Sequence, residues 1–407
     1  MTFELLYWLL LFGVFYSYFG YGILLFFLIK IKRYFSSKSN KTFARLDDDS
    51  LPPVTFLVAA FNEEAWIDEK IRNSFALDYP KDKIFYFFVT DGSTDSTPDK
   101  IRAYQNNMLQ NSPNTGSVLR GHHVELFHQT ERRGKIAAVE RVMPFVKTPI
   151  VIFTDANTDL NKDAIRNIVR HYSDPSVGAV AGEKRVLMSG EASGAGEGFY
   201  WKYESLLKKW DSELYSVVGA AGELFSMRTE LFMLVEKDTL IEDFVMTLRV
   251  AQKGFKVIYE PDAYAVEGHS ADVKEELKRK IRISAGGLQA IWRLRALLNP
   301  FKYGILTFQY VSHRVLRWTL APIALPIIFI INIYLAKTSA FYTFTFGCQM
   351  VFYTLSALGW ACEQFKLKVK MFYIPYYFCI MNYSVYRGFI RLVKGSQSVV
   401  WEKAKRA

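Results

Sequence analysis

The stretch Val54-Thr55-Phe56-Leu57-Val58-Ala59-Ala60-Phe61-Asn62-Glu63-Glu64 decides the fold. Its first part is an unbroken apolar or β-branched run, with no charge to mark a solvent face, as expected for a strand buried on both sides of a parallel sheet. The polar residues that end it fall where the carboxyl end of such a strand would lie. Similar runs recur from Ile84 to Thr90, Val124 to His128 and Ile150 to Thr154, with helix-like segments between them. This alternation, from Pro52 to about Phe301, predicts an α/β domain built on a mostly parallel sheet. Ligands of such sheets bind beyond the carboxyl ends of the strands. The residues to inspect are therefore Asn62 to Glu64, Asp91-Gly92-Ser93-Thr94-Asp95, Gln129 to Lys135 and Asp155-Ala156-Asn157.

The chain around this domain is of another kind. Its 407 residues carry a net charge of +11, with 50% hydrophobic and 16% aromatic residues. That composition excludes disorder and small disulfide-stapled modules. From Leu5 to Ile29 no charge occurs, and at ~1.5 Å per residue the run exceeds a ~30 Å hydrocarbon core. No basic segment precedes it and no small-x-small site follows, so it reads as an anchor and not a cleaved signal. Lys30, Lys32 and Arg33 after it place the downstream chain in the cytoplasm. Three further uncharged stretches follow, Trp318 to Ala336, Thr338 to Cys362 and Met371 to Tyr386. The first two are long enough to span. The third is short, holds Pro375 and Asn382, and precedes a basic tail with Arg387, Arg391, Lys394, Lys403, Lys405 and Arg406 against Glu402. Lys366, Lys368 and Lys370 before that stretch require it to exit, whereas the tail's charge keeps the end inside. A re-entrant or interfacial segment with a cytoplasmic tail is favoured over a true span. Expected divisions are an anchor at 1–33, the α/β domain at 52–270, amphipathic interfacial helices at 271–313, transmembrane or interfacial helices at 314–393 and a tail at 394–407. Cys348, Cys362 and Cys379 show no metal or redox spacing. Much of the excess positive charge lies beside apolar segments, which points to anionic lipid as partner and away from nucleic acid.

The candidate loops are rich in carboxylates, with Arg132-Arg133-Gly134-Lys135 as the basic element facing them. This combination suits a nucleoside diphosphate with a divalent metal: a carboxylate can accept from a base or ribose, Asp155 can hold a hard cation, and Lys135 can meet phosphate oxygens. Neither G-x-x-x-x-G-K nor G-x-G-x-x-G follows the first strand, so ATPase and dehydrogenase readings lose their motif. A turn or helix-cap role would explain any one of these acids alone. Several at successive strand ends point to function.

Taken with Ile241-Glu242-Asp243 and Arg279-Lys280-Ile281-Arg282, the set resembles the family 2 glycosyltransferases of the GT-A fold. The likeness is to the membrane-embedded bacterial enzymes related to cellulose, hyaluronan and poly-N-acetylglucosamine synthases. It implies an inverting, metal-dependent hexosyltransferase at the cytoplasmic face of a plasma membrane, crossed several times, with a UDP-sugar as expected donor. A glycan or glycolipid would be the acceptor, in exopolysaccharide or cell-surface glycan synthesis, alongside other synthesis or export subunits. Two alternatives are a polyprenyl-phosphate or other glycolipid glycosyltransferase and a non-catalytic sugar-nucleotide-binding subunit. By resemblance Asn62, Glu64 and Asp91 belong to the nucleotide pocket, Asp155 and Asn157 to the Mg2+ or Mn2+ site, and Lys135 to the diphosphate. Asp243, beside Glu242, resembles the base that deprotonates the acceptor. Arg279 and Arg282 resemble the diphosphate-side basic residues, with Ile283 where processive synthases place Trp. That departure predicts short products, unless Trp201 or Tyr200 supplies the missing ring. Trp201, Gly222 and Glu223 resemble the acceptor side. His269 resembles a further metal ligand, and the tail around Trp401 one that lies near the active site.

Overall fold

Strands β1 (Val54–Ala60), β2 (Ile84–Asp91), β3 (His123–Gln129) and β4 (Ile150–Asp155) form the parallel half of an eight-stranded sheet. The computed structural model describes residues 2–35, 46–110, 123–186, 192–268, 273–365, 367 and 369–395. With β5 (Thr158–Leu160), β6 (Val177–Val186), β7 (Leu224–Arg228) and β8 (Lys256–Glu267), the order is β3-β2-β1-β4-β7-β6-β8-β5. β7 runs antiparallel to both β4 and β6, and β5 antiparallel to β8. The charge-free runs have the cause expected of them. Leu57, Phe87, Val89, Val151 and Phe153 enter one core, while Phe56, Val58, Tyr86, Phe88 and Ile152 enter a second. Neither face of β1, β2 and β4 meets solvent, so period-two alternation never appears in them. β3 departs from the expectation, because it lies at the sheet edge and exposes His123, Glu125 and His128.

Two glycines set the strand-end geometry. Gly92 has φ 71°, and a Cβ there would meet the backbone of Arg132 at 2.8 Å. The loop after β3 therefore packs directly on the turn after β2. Gly219, at φ 97°, faces the Phe244 ring, which a Cβ would strike at 2.1 Å. Gly219→Ala combines backbone strain with overpacking and is expected to cost about 2 kcal/mol or more of stability. A fall in the thermal unfolding midpoint of the detergent-purified protein measures it.

The helix Phe3–Phe35 is, among the described residues, the single helix long and apolar enough to cross a membrane. The pair Ile305–Trp318 and Leu320–Leu335 passes the same test only jointly and is bent by 50° at the break. The break falls at Thr319, φ −125°, so the stretch from Trp318 to Ala336 contributes a helix of 16 residues, Leu320–Leu335, which does not pass that test by itself. The helices Ala340–Gln364 and Lys370–Val393 complete the C-terminal group. The Val273–Arg293 helix, expected at the membrane surface, is held between the sheet domain and the C-terminal group. Ser284 and Ser384 hydroxyls lie 2.9 Å apart, and a Cβ at Gly388 would meet Ala285 N at 2.7 Å. In its last turn Trp292 is 72% exposed, and beyond its end Phe301 is 100% exposed.

Candidate active site

Lys135 opens the helix Lys135–Val142 at the end of the loop after β3. A cation in a first helical turn opposes the helix macrodipole, and the position is accounted for by what the ammonium touches. Its Nζ lies 2.7 Å from Asp155 at the end of β4 and 3.1 Å from Glu242 at the start of the Glu242–Gln252 helix. Asp243 follows, and a Cβ at Gly222 would stand 3.4 Å from both Asp243 Oδ2 and Lys135 Nζ. The absent side chain at Gly222 therefore keeps a surface open beside the acid pair and the lysine.

These residues line one end of a cavity of about 420 Å³, with Trp201, Glu223, Arg279, Arg282 and Ile283. Burial pushes the Asp243 carboxyl up to about 7, and the neighbouring charge of Glu242 adds to the effect. Burial acts on Glu242 too, but Lys135 and Arg282 outweigh it and hold that carboxyl below its usual range. Two adjacent acids are thus pushed apart, one fixed as an anion and one poised to exchange a proton near neutrality. Burial raises Asp155 even against Lys135. Lys135 itself, buried among carboxylates, is held above its usual value because Asp155 and Glu242 outweigh desolvation. Asp155, buried at the end of β4 with its charge only partly offset by Lys135, is the carboxylate that suits an added cation. Among the described residues no three His, Cys, Asp or Glu side chains form a complete metal cage. A metal here would take Asp155 and complete its shell from a bound diphosphate.

Arg282 donates to Leu240 O at 2.9 Å, while its charge reaches Glu242 and Asp243. Arg279 forks onto Glu276 at 3.0 Å from both Nε and Nη2. Asn157 donates through Nδ2 to Glu267 at 3.3 Å. Glu267 lies 2.5 Å from the buried Lys184 ammonium, which also binds Glu223. Burial of Glu223 is outweighed by Lys184, and its carboxyl is lowered to about 2. Trp201 lies on the same network, its ring 5.3 Å from Lys184 Nζ and 5.4 Å from Lys280 Nζ.

Asn62, Glu64 and Asp91 do not line this cavity. They stand at the carboxyl ends of β1 and β2 and tie loops together. Asn62 Oδ1 accepts from Thr94 N at 2.8 Å, and Glu64 accepts from the Ser96 hydroxyl at 2.9 Å. Asp91 Oδ2 accepts from the backbone of Arg133 at 2.9 Å and Gly134 at 2.6 Å. Its Oδ1 is buried without a hydrogen bond, 3.8 Å from Arg141.

Three features were not read from sequence. Lys184 sits in a strand and Glu267 at a strand end, and neither lies in a motif. Lys70, buried beneath Asp155, donates to Thr154 Oγ1 at 2.9 Å and Thr158 O at 2.7 Å, fixing the turn that carries Asp155 and Asn157. Burial lowers its ammonium to about 7. Trp318 also lines the cavity, 5.5 Å from Phe244 ring to ring. Its position two helices from the sheet domain hid it. His122, His269, the Tyr200 side chain and the tail from Ser396 onward lie outside the described residues.

The chain is similar in sequence and in fold to known proteins. Residues 55–234 match the family model described as glycosyl transferase family 2, and residues 150–356 match glycosyl transferase family group 2. A poly-beta-1,6-N-acetyl-D-glucosamine synthase of Staphylococcus aureus is 25% identical over 293 residues, 70% of this chain and 66% of that protein. The chain thus spans slightly less than two thirds of that relative's length. A beta-monoglucosyldiacylglycerol synthase of Synechocystis is 30% identical over 216 residues, 51% of this chain and 42% of that one. A mannosyltransferase from Pyrobaculum calidifontis, solved with GDP-Man and Mn2+, superposes with a TM-score of 0.69 at 23% identity, covering 97% of this chain and 100% of that one. The fold is that of the GT-A enzymes, and with half the chain inside one family model, the protein belongs to glycosyl transferase family group 2.

Proposed function

We propose that the protein transfers a sugar, with inversion, from a nucleoside diphosphate donor to a hydroxyl of a glycan or glycolipid acceptor. The observation that carries this reading is the meeting of Lys135, Asp155, Glu242 and Asp243 at one end of the cavity. Asp243 takes the proton of the acceptor hydroxyl, the oxygen bonds to the anomeric carbon on the face opposite the diphosphate, and the bond from that carbon to the diphosphate oxygen breaks. Glu242 stays ionised and raises the proton affinity of Asp243. Lys135 and Arg282 offset charge on the departing diphosphate. A Mg2+ or Mn2+ ion held by Asp155, with Asn157 beside it, supplies Lewis-acid stabilisation of that same diphosphate when bound. Asp91 holds the loop that leads to Lys135 by accepting from the backbone of Arg133 and Gly134, and with Asn62 and Glu64 it shapes the nucleotide side of the site. UDP-sugars are the donors to test first. The basic cluster after the N-terminal helix supports a catalytic domain on the cytoplasmic face.

The test is incubation of detergent-purified protein with labelled nucleotide sugars and Mn2+, followed by sizing of products. Turnover of none of them would leave a non-catalytic binding subunit.

The acceptor wall yields a narrower expectation. Trp201 offers a ring face to a sugar, and its loss removes stacking common to ground and transition states. Trp201→Ala is expected to raise the acceptor KM about 10-fold with kcat little changed. Ile283 offers no ring, so single additions or short chains are expected. A pulse of labelled donor chased with unlabelled donor checks this: label moving into long chains on few acceptors would refute it.

A further inference from the structure

Resting on the transfer reading above, we infer that the acceptor is an amphiphile, with its hydroxylated head at Asp243 and an alkyl tail leaving the cavity sideways between the N-terminal helix and the Lys370–Val393 helix. The cavity that begins at Lys135, Asp155 and Asp243 ends among Phe19, Ile374, Phe378, Met381 and Val385. Phe19 is 60% and Ile374 62% exposed. The cavity wall therefore reaches the outer surface at this point. That surface belongs to the helix apolar enough to cross a membrane, and its neighbours Phe15 and Ile23 are exposed beside it. The opening faces hydrocarbon, where a hydrophilic glycan would find no partners for its hydroxyls and an alkyl chain needs none.

The N-terminal helix changes partners at this level. Tyr7 packs with Ala324, Ile328 and Ile331 of the C-terminal group, whereas Tyr21 and Leu25 pack with Leu207 of the Ala192–Leu214 helix. Tyr18 and Phe19 lie between the two, at the junction of the catalytic domain and the lipid-facing helices. The helix widens there into a π-helical turn, Tyr16–Gly20, and a second one, Val311–Val315, stands opposite. Such turns loosen the hydrogen-bond ladder and recur at functional sites. Here the affected carbonyls are satisfied from the protein side: Arg317 Nε donates to Ser17 O at 2.9 Å and Tyr203 to Tyr18 O at 2.6 Å. Arg317 and Arg314 in turn bind the buried Glu204 at 3.1 and 2.6 Å. The inner wall is thereby fixed.

The outer wall is closed differently. Tyr18 donates to Asn382 Oδ1 at 2.9 Å, and its ring meets Phe378 edge-on at 4.9 Å between centroids. These are side-chain contacts across a seam, and rotation of Tyr18 would open it without moving either helix. The base also bears on the head group. A phosphate acceptor arrives ionised and needs no base, whereas an alcohol does, and Asp243 stands where the Gly222 surface admits one.

The full-length protein in detergent is photolysed with dodecyl β-glucoside bearing a terminal diazirine, and the adducts are mapped by mass spectrometry. Adducts are expected on Phe19, Ile374, Phe378 and Met381. Met381→Trp, which fills the seam away from the reacting groups, is expected to cut adduct yield and transfer to the dodecyl acceptor about 10-fold while hydrolysis of the donor by water stays within about two-fold. The unsubstituted protein carries the adduct map even if that variant folds poorly. Adducts confined to outward side chains such as Phe344 and Trp360 would overturn the inference. So would their displacement by a tail-free oligosaccharide, which would make the seam a glycan path. Labelled seam residues with no nucleotide sugar turned over would overturn the transfer reading, and with it the acceptor role, but not the tail site.

Discussion

Asp243→Asn is expected to bind donor as the unsubstituted protein does and to lose transfer by about 10²- to 10⁴-fold, the range for removal of a positioned base. Asn keeps the size of the side chain and its place beside Gly222 but cannot take a proton. Substrate and acceptor geometry are preserved, so the loss belongs in kcat and not in KM. The alternative is that Asp243 only caps the Glu242–Gln252 helix, where an acid is favoured by the macrodipole. That role is worth about 0.3–1 kcal/mol of stability and would leave turnover intact. The two are further separated by pH. Because burial and Glu242 raise the carboxyl to about 7, the base is ionised above that value and protonated below it. Transfer in the free enzyme should therefore rise with pH through about 7 and level off, and a bound cation would move the midpoint down. The Asn variant should have lost that limb. A pH profile of kcat/KM for both proteins reads the result, and retained turnover in the variant would remove Asp243 from the mechanism.

The parallel half of the fold was legible because burial on both faces leaves a simple mark: Val54–Ala60 and Ile150–Asp155 carry no charge before the strand end. Site positions followed from the strand ends by topology. The antiparallel half was harder to read. The order β4-β7-β6-β8 joins strands far apart in sequence, and no local pattern specifies which distant edge a strand finds. The buried Lys184, clamped between Glu223 and Glu267, shows the same limit at the level of one residue. A lysine inside β6 reads as solvent-facing until the fold brings two carboxylates to it. Membrane helices were legible by apolar run length, but their breaks were not. The π-helical turn Tyr16–Gly20 holds Ser17 and Gly20 but no charge or proline that would break the apolar run, and the break at Thr319 has no glycine to announce it. The first apolar run is also only partly a lipid-facing surface, since Tyr21, Leu25 and Ile29 are buried. Hydropathy cannot distinguish contact with lipid from contact with a neighbouring helix.

Asp155→Ala is expected to lower transfer at least about 10²-fold, without rescue by millimolar Mg2+ or Mn2+. Asp155 is a buried carboxylate whose protonation is only partly prevented by Lys135. A divalent cation would complete what one ammonium leaves short, and the alanine variant has nothing left to hold it at the end of β4. Removal also releases Lys135 from its 2.7 Å contact while the contact with Glu242 at 3.1 Å remains. Glu242 would then pair more tightly, so a loss of activity by itself cannot separate a missing metal from a displaced lysine. Asp155→Asn makes the separation, because the amide oxygen can still accept from Lys135 Nζ while the charge is gone. If the cation is what matters, both variants lose activity alike, and neither shows the rise in thermal midpoint with Mn2+ and UDP expected of the unsubstituted protein through mass action. Chelation of the unsubstituted protein should reproduce the same loss and be reversed by added Mn2+. Full activity in EDTA would mean that Lys135 and Arg282 carry the diphosphate charge unaided, and an active Asp155→Asn would assign Asp155 to holding Lys135 in place.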